Sequence, residues 1–306
     1  CKGPATMITR LFKFLSQTLL LAWSVLASSQ SLEPRAYTNL PVDQTFVLVG
    51  IARSEGDVSP TPSSPLQDLD LRIDSLVVGA AHTFAIAGKA ARCDLAAFRT
   101  CYEGSAIFMG EYAEDRRCEY GDPRFKLTWN FYGAPAMDLA AFRQAKPGLV
   151  FGASVEATVP VGTYNSENII NAGANRWMVR PGLGMSYGWN RWHVDVSGSV
   201  RLFEDNDDFF NGIHVEQDPL YQLQGHLIYT FPKGRWLSLD ANVFWGGENT
   251  RDGVKADDRM ENSRLGVTFS TPINAHHSIK LYASAGTVTR IGGDFDNFGI
   301  AWQYRF

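Results

Sequence analysis

The chain has 306 residues, with 28 basic and 32 acidic side chains and a formal net charge of −4. Hydrophobic residues make up 45% of it, enough for a large core in one or two domains. No strongly cationic stretch could neutralise a phosphate backbone, so the composition argues against a nucleic acid partner. After residue 31 no run reaches the roughly 18 apolar residues of a spanning helix, which excludes a multi-span helical membrane protein but not a membrane barrel.

Residues 1–31 follow a different pattern from the rest. Met7 is followed by two basic residues, by the apolar run Leu19–Ala27 and then by serines. A basic segment, about nine apolar residues and small residues in this order are typical of a cleavable signal peptide. We expect cleavage near Ser29 or Ser31, with the residues before Met7 as an upstream extension; a retained membrane anchor is the alternative.

The remainder alternates polar and apolar residues with a period of two, the pattern of β-strands that are wet on one face. From Trp192, for example, valines alternate with His193, Asp195 and Ser197. Weaker alternation at 45–53, 71–86 and 89–100 brings the number of strands to about twelve, an even number as closed single-chain barrels prefer. The clearer strands are predicted over 124–131, 149–159, 177–187, 192–202, 221–231, 237–245, 263–270, 279–289 and 297–306.

Two features favour a transmembrane antiparallel β-barrel of about 12 strands over a soluble sandwich. Aromatic residues such as Tyr187, Trp192 and Trp245 lie at the predicted strand ends, which suits girdles at the membrane interfaces. The connections also alternate between short and long, except for a long inner one at 133–147 and a short outer one at Gly292-Gly293. Tight turns are predicted at 188–191, 231–235 and 271–277, long outer loops at 54–70, 101–121, 161–175, 204–218 and 247–260, and one helical turn at Asp138–Arg143.

The segment before the first strand, residues 32–44, is expected to stand apart from the barrel of residues 45–306. It is polar and carries Pro34 and Pro41, so it cannot extend the first strand. We expect it in the periplasm or in the lumen as a partial plug.

The alternation places eight charged side chains inside the predicted barrel. They allow two interpretations: a polar path that tunes which solute passes, or an ion-paired interior that braces a closed barrel. No cofactor is implied. The eight residues are Lys126, Glu156, Arg180, Asp195, Arg201, Asp240, Arg264 and Lys280.

Three cysteines remain after the signal segment, so export leaves one disulfide and one extra thiol. Their spacing matches no zinc pattern. We expect Cys101 and Cys118 to form a disulfide that closes the second outer loop, with a bridge from Cys93 to Cys101 as the alternative.

Catalytic patterns are weak. His193, Asp195 and Ser197 share a strand face, but strand residues four positions apart stand about 13 Å from each other, too far for proton transfer. No nucleophile elbow, zinc helix or nucleotide loop occurs. The acidic run 204–208 lacks the glycine and distal glutamate of a calcium loop and is expected to be a solvated loop. The sequence therefore does not predict an enzyme.

Several short motifs resemble those of the MetA-pathway of phenol degradation family, from about Glu33 to Phe306. Proteins of this family are described as outer-membrane transporters, and the resemblance carries over no catalytic or binding residues. It implies a bacterial outer-membrane location and a link to aromatic compounds. The motifs are GDPR at 121–124, NFYGAPA at 130–136, NRW at 175–177, QDPLY at 217–221 and NSRLG at 262–266.

The sequence thus predicts a channel for passive uptake of small organic compounds, aromatic or hydrophobic ones among them. The alternatives are a structural or adhesive barrel without an open pore and a lipid-modifying outer-membrane enzyme. Expected partners are the small organic solute, outer-membrane lipids and lipopolysaccharide, and the barrel-assembly machinery, which would recognise the terminal Phe306.

Overall fold

A computed structural model describes residues 32–59, 66–108, 111–168 and 170–306. The predicted signal peptide lies outside the described residues. Within these ranges no helix has the length and apolar character needed to cross a membrane. The strands are β1 (Thr45–Ser59), β2 (Leu66–Ile86), β3 (Lys89–Phe108), β4 (Glu111–Tyr120), β5 (Arg124–Tyr132), β6 (Leu149–Thr158), β7 (Met178–Trp189), β8 (Trp192–Phe203), β9 (Asn206–Phe209), β10 (Ile213–Gln217), β11 (Leu220–Thr230), β12 (Trp236–Gly246), β13 (Asn249–Arg251), β14 (Val254–Lys255), β15 (Met260–Pro272), β16 (His277–Val288) and β17 (Gly292–Arg305).

Twelve antiparallel strands form a closed barrel, which confirms the predicted architecture. Each strand pairs with its neighbour around the wall, and β1 closes the circle by pairing with β17 through contacts such as Gly50 opposite Ala301. Two strands, β5 and β4, together occupy the place next to β3 in the wall. The first half of β3 pairs with β5, and its second half pairs with β4. Closure leaves no unpaired strand edge in the hydrocarbon region.

The wall is apolar on its outer face and polar on its inner face, the reverse of a soluble β-barrel. Leu239 and Leu265 point outward and are 60% and 56% exposed, whereas the neighbouring Asp240 and Thr268 point inward and are buried. Such an apolar outer surface is unfavourable in water and favourable in lipid. The barrel therefore spans a membrane through its strands.

Aromatic pairs mark both rims of this apolar band. Trp192 packs edge-on against Tyr229 at one end, and Tyr221 stacks on Trp245 at the other, with ring centroids 4.8 and 5.8 Å apart. Tyr221 and Tyr229 lie on one strand, about 26 Å apart at roughly 3.3 Å per residue. This spacing matches the height of an outer-membrane apolar band, about 25 Å.

Two of the predicted outer loops are wrong. Most of 54–70 is strand, because β1 continues to Ser59 and β2 begins at Leu66. Likewise, within 101–121 the end of β3, up to Phe108, pairs with β4 (Glu111–Tyr120). Beyond the membrane both faces of a strand meet water, so the alternation that lipid requires is lost although the pairing continues. Arg53 and Asp74, paired across β1 and β2 at 2.7 Å, illustrate this polar extension.

The other connections agree more closely with the predicted loops and tight turns. The described residues of 161–175, all but residue 169, form a loop without strands, and the tight turns are present. The segments 204–218 and 247–260 are not plain loops, because β9, β10, β13 and β14 pair there as a small four-stranded sheet. The helix α1 (Leu139–Gln144) occupies the predicted inner position, and the Asp138 carboxylate caps it by accepting a hydrogen bond from the Ala141 N–H at 2.7 Å.

Candidate functional site

The lumen contains all eight of the charged residues proposed from the sequence. Lys126 and Lys280 are partly buried. The others are buried on the inward strand faces: Glu156, Arg180, Asp195, Arg201, Asp240 and Arg264. The eight residues do not form one cluster. Four of them lie together, namely Lys126, Glu156, Arg180 and Arg201. The other four lie elsewhere along the lumen wall.

Those four residues form a row across β5, β6, β7 and β8. Lys126 stands opposite Glu156, and Glu156 stands opposite Arg180. Arg180 donates a 2.9 Å hydrogen bond from Nη2 to Glu156 Oε2 and a 3.1 Å bond from Nη1 to the amide oxygen of Gln222. Val179 on β7 pairs with Leu202 on β8, so Arg201 lies beside Arg180 at the next position along the two strands. The row is therefore richer in positive than in negative charge.

The N-terminal segment, Leu32–Gln44, passes through the lumen and contacts this row. The Glu33 carboxylate accepts hydrogen bonds from Lys126 Nζ and, at 2.7 Å, from Arg180 Nη2. Two residues further on, the Arg35 N–H donates to Asp195 Oδ2 at 2.9 Å. The segment thus brings its own carboxylate to the surplus cations of the wall.

Tyr37 fixes the segment lower in the lumen. Its ring is buried against β6 and β7, and its hydroxyl lies 2.8 Å from the Ser154 hydroxyl. A Cβ at Gly184 would stand only 2.1 Å from the ring, and a Cβ at Gly152 only 2.7 Å. The close approach of the Tyr37 ring therefore requires glycine at both positions.

A second buried network lies on β11, β12 and β15. His226 Nδ1 is 2.7 Å from Asp240 Oδ1, and the hydroxyls of Ser238 and Thr268 donate to the two oxygens of the same carboxylate. A serine, a histidine and an aspartate meet here, which the sequence analysis missed because they come from two strands. The serine hydroxyl donates to the carboxylate and not to the imidazole, so this is not a nucleophile–base arrangement.

Arg264 and Lys280 line the part of the lumen near β15 and β16. Arg264 Nη1 donates to the Ser284 backbone oxygen at 3.3 Å and to its hydroxyl at 3.1 Å. Lys280 faces a cavity of about 370 Å³, which lies on the outer side of the N-terminal segment with Leu32 and Glu33 in its lining.

The loop between β6 and β7 roofs this cavity through Ala172 and Ala174. Asp122 holds the loop in place, because its carboxylate accepts hydrogen bonds from the Gly162 N–H at 2.8 Å and the Ala174 N–H at 2.7 Å. Burial raises the pKa of the Asp122 carboxyl above its ordinary value, and these backbone donors offset only part of the rise.

The cysteines lie away from the lumen site. Cys101 and Cys118 are joined by a disulfide directly across the β3–β4 hairpin, and Cys93 is free and exposed. The described ranges hold no group of three or more potential ligands that could bind a metal ion.

A family model described as "Putative MetA-pathway of phenol degradation" matches residues 64–295, about three quarters of the chain. The chain belongs to this family. The match includes β3 and β4, which contain none of the five motifs named above. No curated protein sequence matches the chain.

Solved structures show the same fold. The COG4313 outer membrane channel from Pseudomonas putida F1 has a TM-score of 0.72 and 22% identity, over 90% of this chain and 100% of that one. The transport unit of the autotransporter AIDA-I from Escherichia coli follows at a TM-score of 0.53 and 10% identity, over 91% and 94%. The translocator domain of NalP from Neisseria meningitidis has a TM-score of 0.52 and 12% identity, over 99% and 96%. The protein is thus a bacterial outer-membrane β-barrel.

Proposed function

We propose that this barrel is a channel for passive uptake of small organic compounds. The observation that carries the proposal is the polar lumen of a lipid-exposed barrel with a cavity of about 370 Å³ inside it. Small-molecule sites commonly enclose about 300–1,000 Å³. The sequence has no nucleotide loop or energy-coupling segment, so flux would follow the solute gradient. The outer-membrane channel from Pseudomonas putida shares the fold of this chain. The description of this chain's own family names a pathway of phenol degradation.

The segment Leu32–Gln44 acts in this proposal as a partial plug. It is held by polar contacts at Glu33, Arg35 and Tyr37, and such contacts can exchange with water or solute more readily than a packed apolar core. Asp43 and Gln44, at the end of the segment, pair with the backbone of Thr83 on β2. The pairing of the wall strands with one another does not involve residues 32–40, so that part can shift without unfolding the wall.

Uptake by cells with and without the gene tests the channel. We expect loss of the gene to slow entry of labelled phenol and benzoate more than entry of a sugar of similar size. Planar bilayers provide the second measurement: the intact protein should conduct weakly, and removal of residues 32–40 should increase its conductance. If the gene has no effect on uptake and neither form conducts, the channel proposal fails.

The ion-paired row supports a second candidate, a structural or adhesive barrel without an open pore. Glu156 and Glu33 both pair with Arg180, and such a network can brace facing strands. This candidate predicts that removing residues 32–40 lowers the unfolding temperature but leaves the bilayer without current.

We also propose that the protein is not an enzyme. The nearest approach to catalytic geometry is the network of His226, Asp240 and Ser238, all buried in the wall with the hydroxyl directed to the carboxylate. Ester or lipid hydrolysis by the purified barrel, lost on Ser238→Ala, would contradict this.

The assembly machinery and lipopolysaccharide are further proposed partners. Phe306 is 67% exposed and its backbone N–H donates to Thr45 at 3.0 Å, so the terminal ring projects from the seam between the first and last strands. Phe306→Ala should slow assembly in cells, whereas Phe298→Ala, on the lipid face of the same strand, should have less effect. Equal assembly rates for the two variants would remove the terminal residue from this role; co-purification of lipopolysaccharide tests the lipid partner.

A further inference from the structure

The cavity on the outer side of the N-terminal segment has two unlike walls. The wall from β1, β2 and β17 is apolar or uncharged, with Leu48, Ile73, Val77 and Phe295 in its lining. Among the described residues, no charged side chain of these three strands lines the cavity. This half of the cavity can pack against an apolar ring or chain, but it has no side chain that could pair with a charged group of a solute.

The other wall is positively charged. Arg124 from β5, Arg201 from β8 and Lys280 from β16 line the same cavity. The guanidinium of Arg124 lies 4.2 Å from the centre of the Phe98 ring, where the charged and apolar walls meet. An aromatic ring and a cation are thus side by side within one space.

The carboxylates around the cavity do not balance these cations. Glu33 is bound by Lys126 and Arg180, and Asp122 is engaged by backbone N–H groups of the roof loop. Behind the cavity, Glu156 pairs with Arg180 as well. Asp240 also acts on Lys280, so four carboxylates stand among five cations, namely Arg124, Lys126, Arg180, Arg201 and Lys280.

Lys280 is the cation best placed for a solute. It lies close enough to Glu33 and Asp240 to feel their charges, but within the described ranges no carboxylate comes within 4 Å of its ammonium. Glu33 demonstrates what this environment accepts: the chain's own carboxylate enters the lumen and is bound by cations of the wall. A second carboxylate would reduce the remaining excess of positive charge.

We propose that this cavity binds a small organic anion with an apolar body, of the aromatic carboxylate type, while the solute crosses the barrel. The carboxylate lies toward Lys280, and the ring lies against Phe98 and Phe295. A neutral phenol would bring no charge to Lys280, and a sugar or inorganic phosphate would leave the apolar wall uncovered. This inference rests on the proposed channel function and specifies its solute class.

Liposomes containing the intact protein test the proposal with two solutes of the same ring and similar size, benzoate and benzyl alcohol. We expect protein-dependent influx of benzoate to exceed that of benzyl alcohol, and Lys280→Met to lower benzoate influx by about fivefold to tenfold, as loss of one charge-assisted contact implies. Lys280→Arg should retain most of the benzoate influx. Lys255→Met, which removes an exposed lysine of the outer sheet, is the matched control and should leave both rates unchanged.

The outcomes separate the inference from the channel function. If both solutes enter at equal rates and Lys280→Met changes neither, the protein is a channel but the anion site is wrong. If neither solute enters faster than in empty liposomes, the channel function itself fails. Gel migration of heated and unheated samples checks that each variant is a folded barrel, and a folded Lys280→Met that retains full benzoate influx overturns the proposal.

Discussion

Arg180 and Glu33 are 147 positions apart in the chain, yet Arg180 Nη2 donates a 2.7 Å hydrogen bond to Glu33 Oε1 in the lumen. The same guanidinium binds Glu156 on the neighbouring strand. Arg180 therefore connects the wall of the barrel to the N-terminal segment inside it. Any movement of that segment out of the lumen must break this contact.

Glu33→Gln should loosen the segment and increase single-channel conductance. The amide retains the shape of the side chain but loses two charge-assisted hydrogen bonds, each of which contributes about 1.5–3 kcal/mol at most. Asp43→Asn is the control, because Asp43 is exposed at the end of the segment and asparagine tolerates its left-handed backbone, φ 57°. Identical conductance of the Glu33 variant and the native protein would show that this contact does not hold the plug.

Gly184→Ala should displace Tyr37 and likewise increase conductance. The added Cβ would stand 2.1 Å from the Tyr37 ring, so either the ring or the strand must move. Gly225→Ala is the matched control, since nothing lies within 4 Å of its added Cβ.

A double variant identifies the cause. If the effect acts through the ring, Tyr37→Ala combined with Gly184→Ala should conduct like Tyr37→Ala alone. Additive increases would mean that the glycine acts on the wall and not on the segment.

The barrel was predictable from the sequence because lipid imposes a strict alternation on every spanning strand. Of the weaker strands, 45–53 and 71–86 have apolar residues on the inward face as well, such as Leu48 and Ile73. The faint pattern there was itself a sign of the apolar wall of the cavity. Strand extensions beyond the membrane gave no such signal, since water contacts both faces.

The path of the N-terminal segment could be predicted only in part. Its prolines excluded a continuation of β1, but periplasm and lumen remained equally open. The choice depends on long-range contacts, Glu33 with Arg180 and Tyr37 with Gly184, that no local pattern encodes. The same limit applies to His226 and Asp240, which meet only after β11 and β12 pair.

The Cys101–Cys118 disulfide should stabilise the outer hairpin and not the barrel. In the chain-entropy model a crosslink over 17 residues contributes roughly 3 kcal/mol, but β3 and β4 also pair independently of it. Replacing both cysteines by alanine should speed proteolysis of 101–121 and leave the difference between heated and unheated gel migration intact. Cys93→Ala should change neither. Peptide mapping without reduction gives the direct check, and three free thiols would rule out the bridge.

His214 should make the small outer sheet more stable in mild acid. A hydrogen bond to Asp207, followed by one to Glu216, raises the pKa of His214 above its ordinary value of about 6.5. Because the folded pKa is raised, the contribution is complete below the unfolded pKa and is lost as pH rises through the folded one. The protection of the amides in β9 and β10, relative to their intrinsic exchange rates at each pH, should therefore be greater at about pH 5.5 than at about pH 8. Asp207→Asn should reduce this difference, and its persistence in that variant would point to another titrating group.

The outward face of β8 should tolerate no charge at membrane depth. Val196 lies in the middle of the strand with its side chain 38% exposed, opposite Met185 on β7 and Gly225 on β11. An arginine there must leave water for hydrocarbon or distort the bilayer around it. The cost is about 2–4 kcal/mol near the midplane of an outer-membrane barrel and falls toward the interfaces.

Val196→Arg should accordingly reduce the free energy of unfolding in liposomes by about that amount and slow insertion. Val254→Arg makes the same chemical change in the outer sheet, where Val254 is 69% exposed to water, and should cost little. Equal stabilities of the two variants, measured by denaturant titration in the same lipid, would mean that β8 does not face hydrocarbon. That result would contradict the orientation of the whole wall, because the register fixes the outward face of each strand relative to its neighbours.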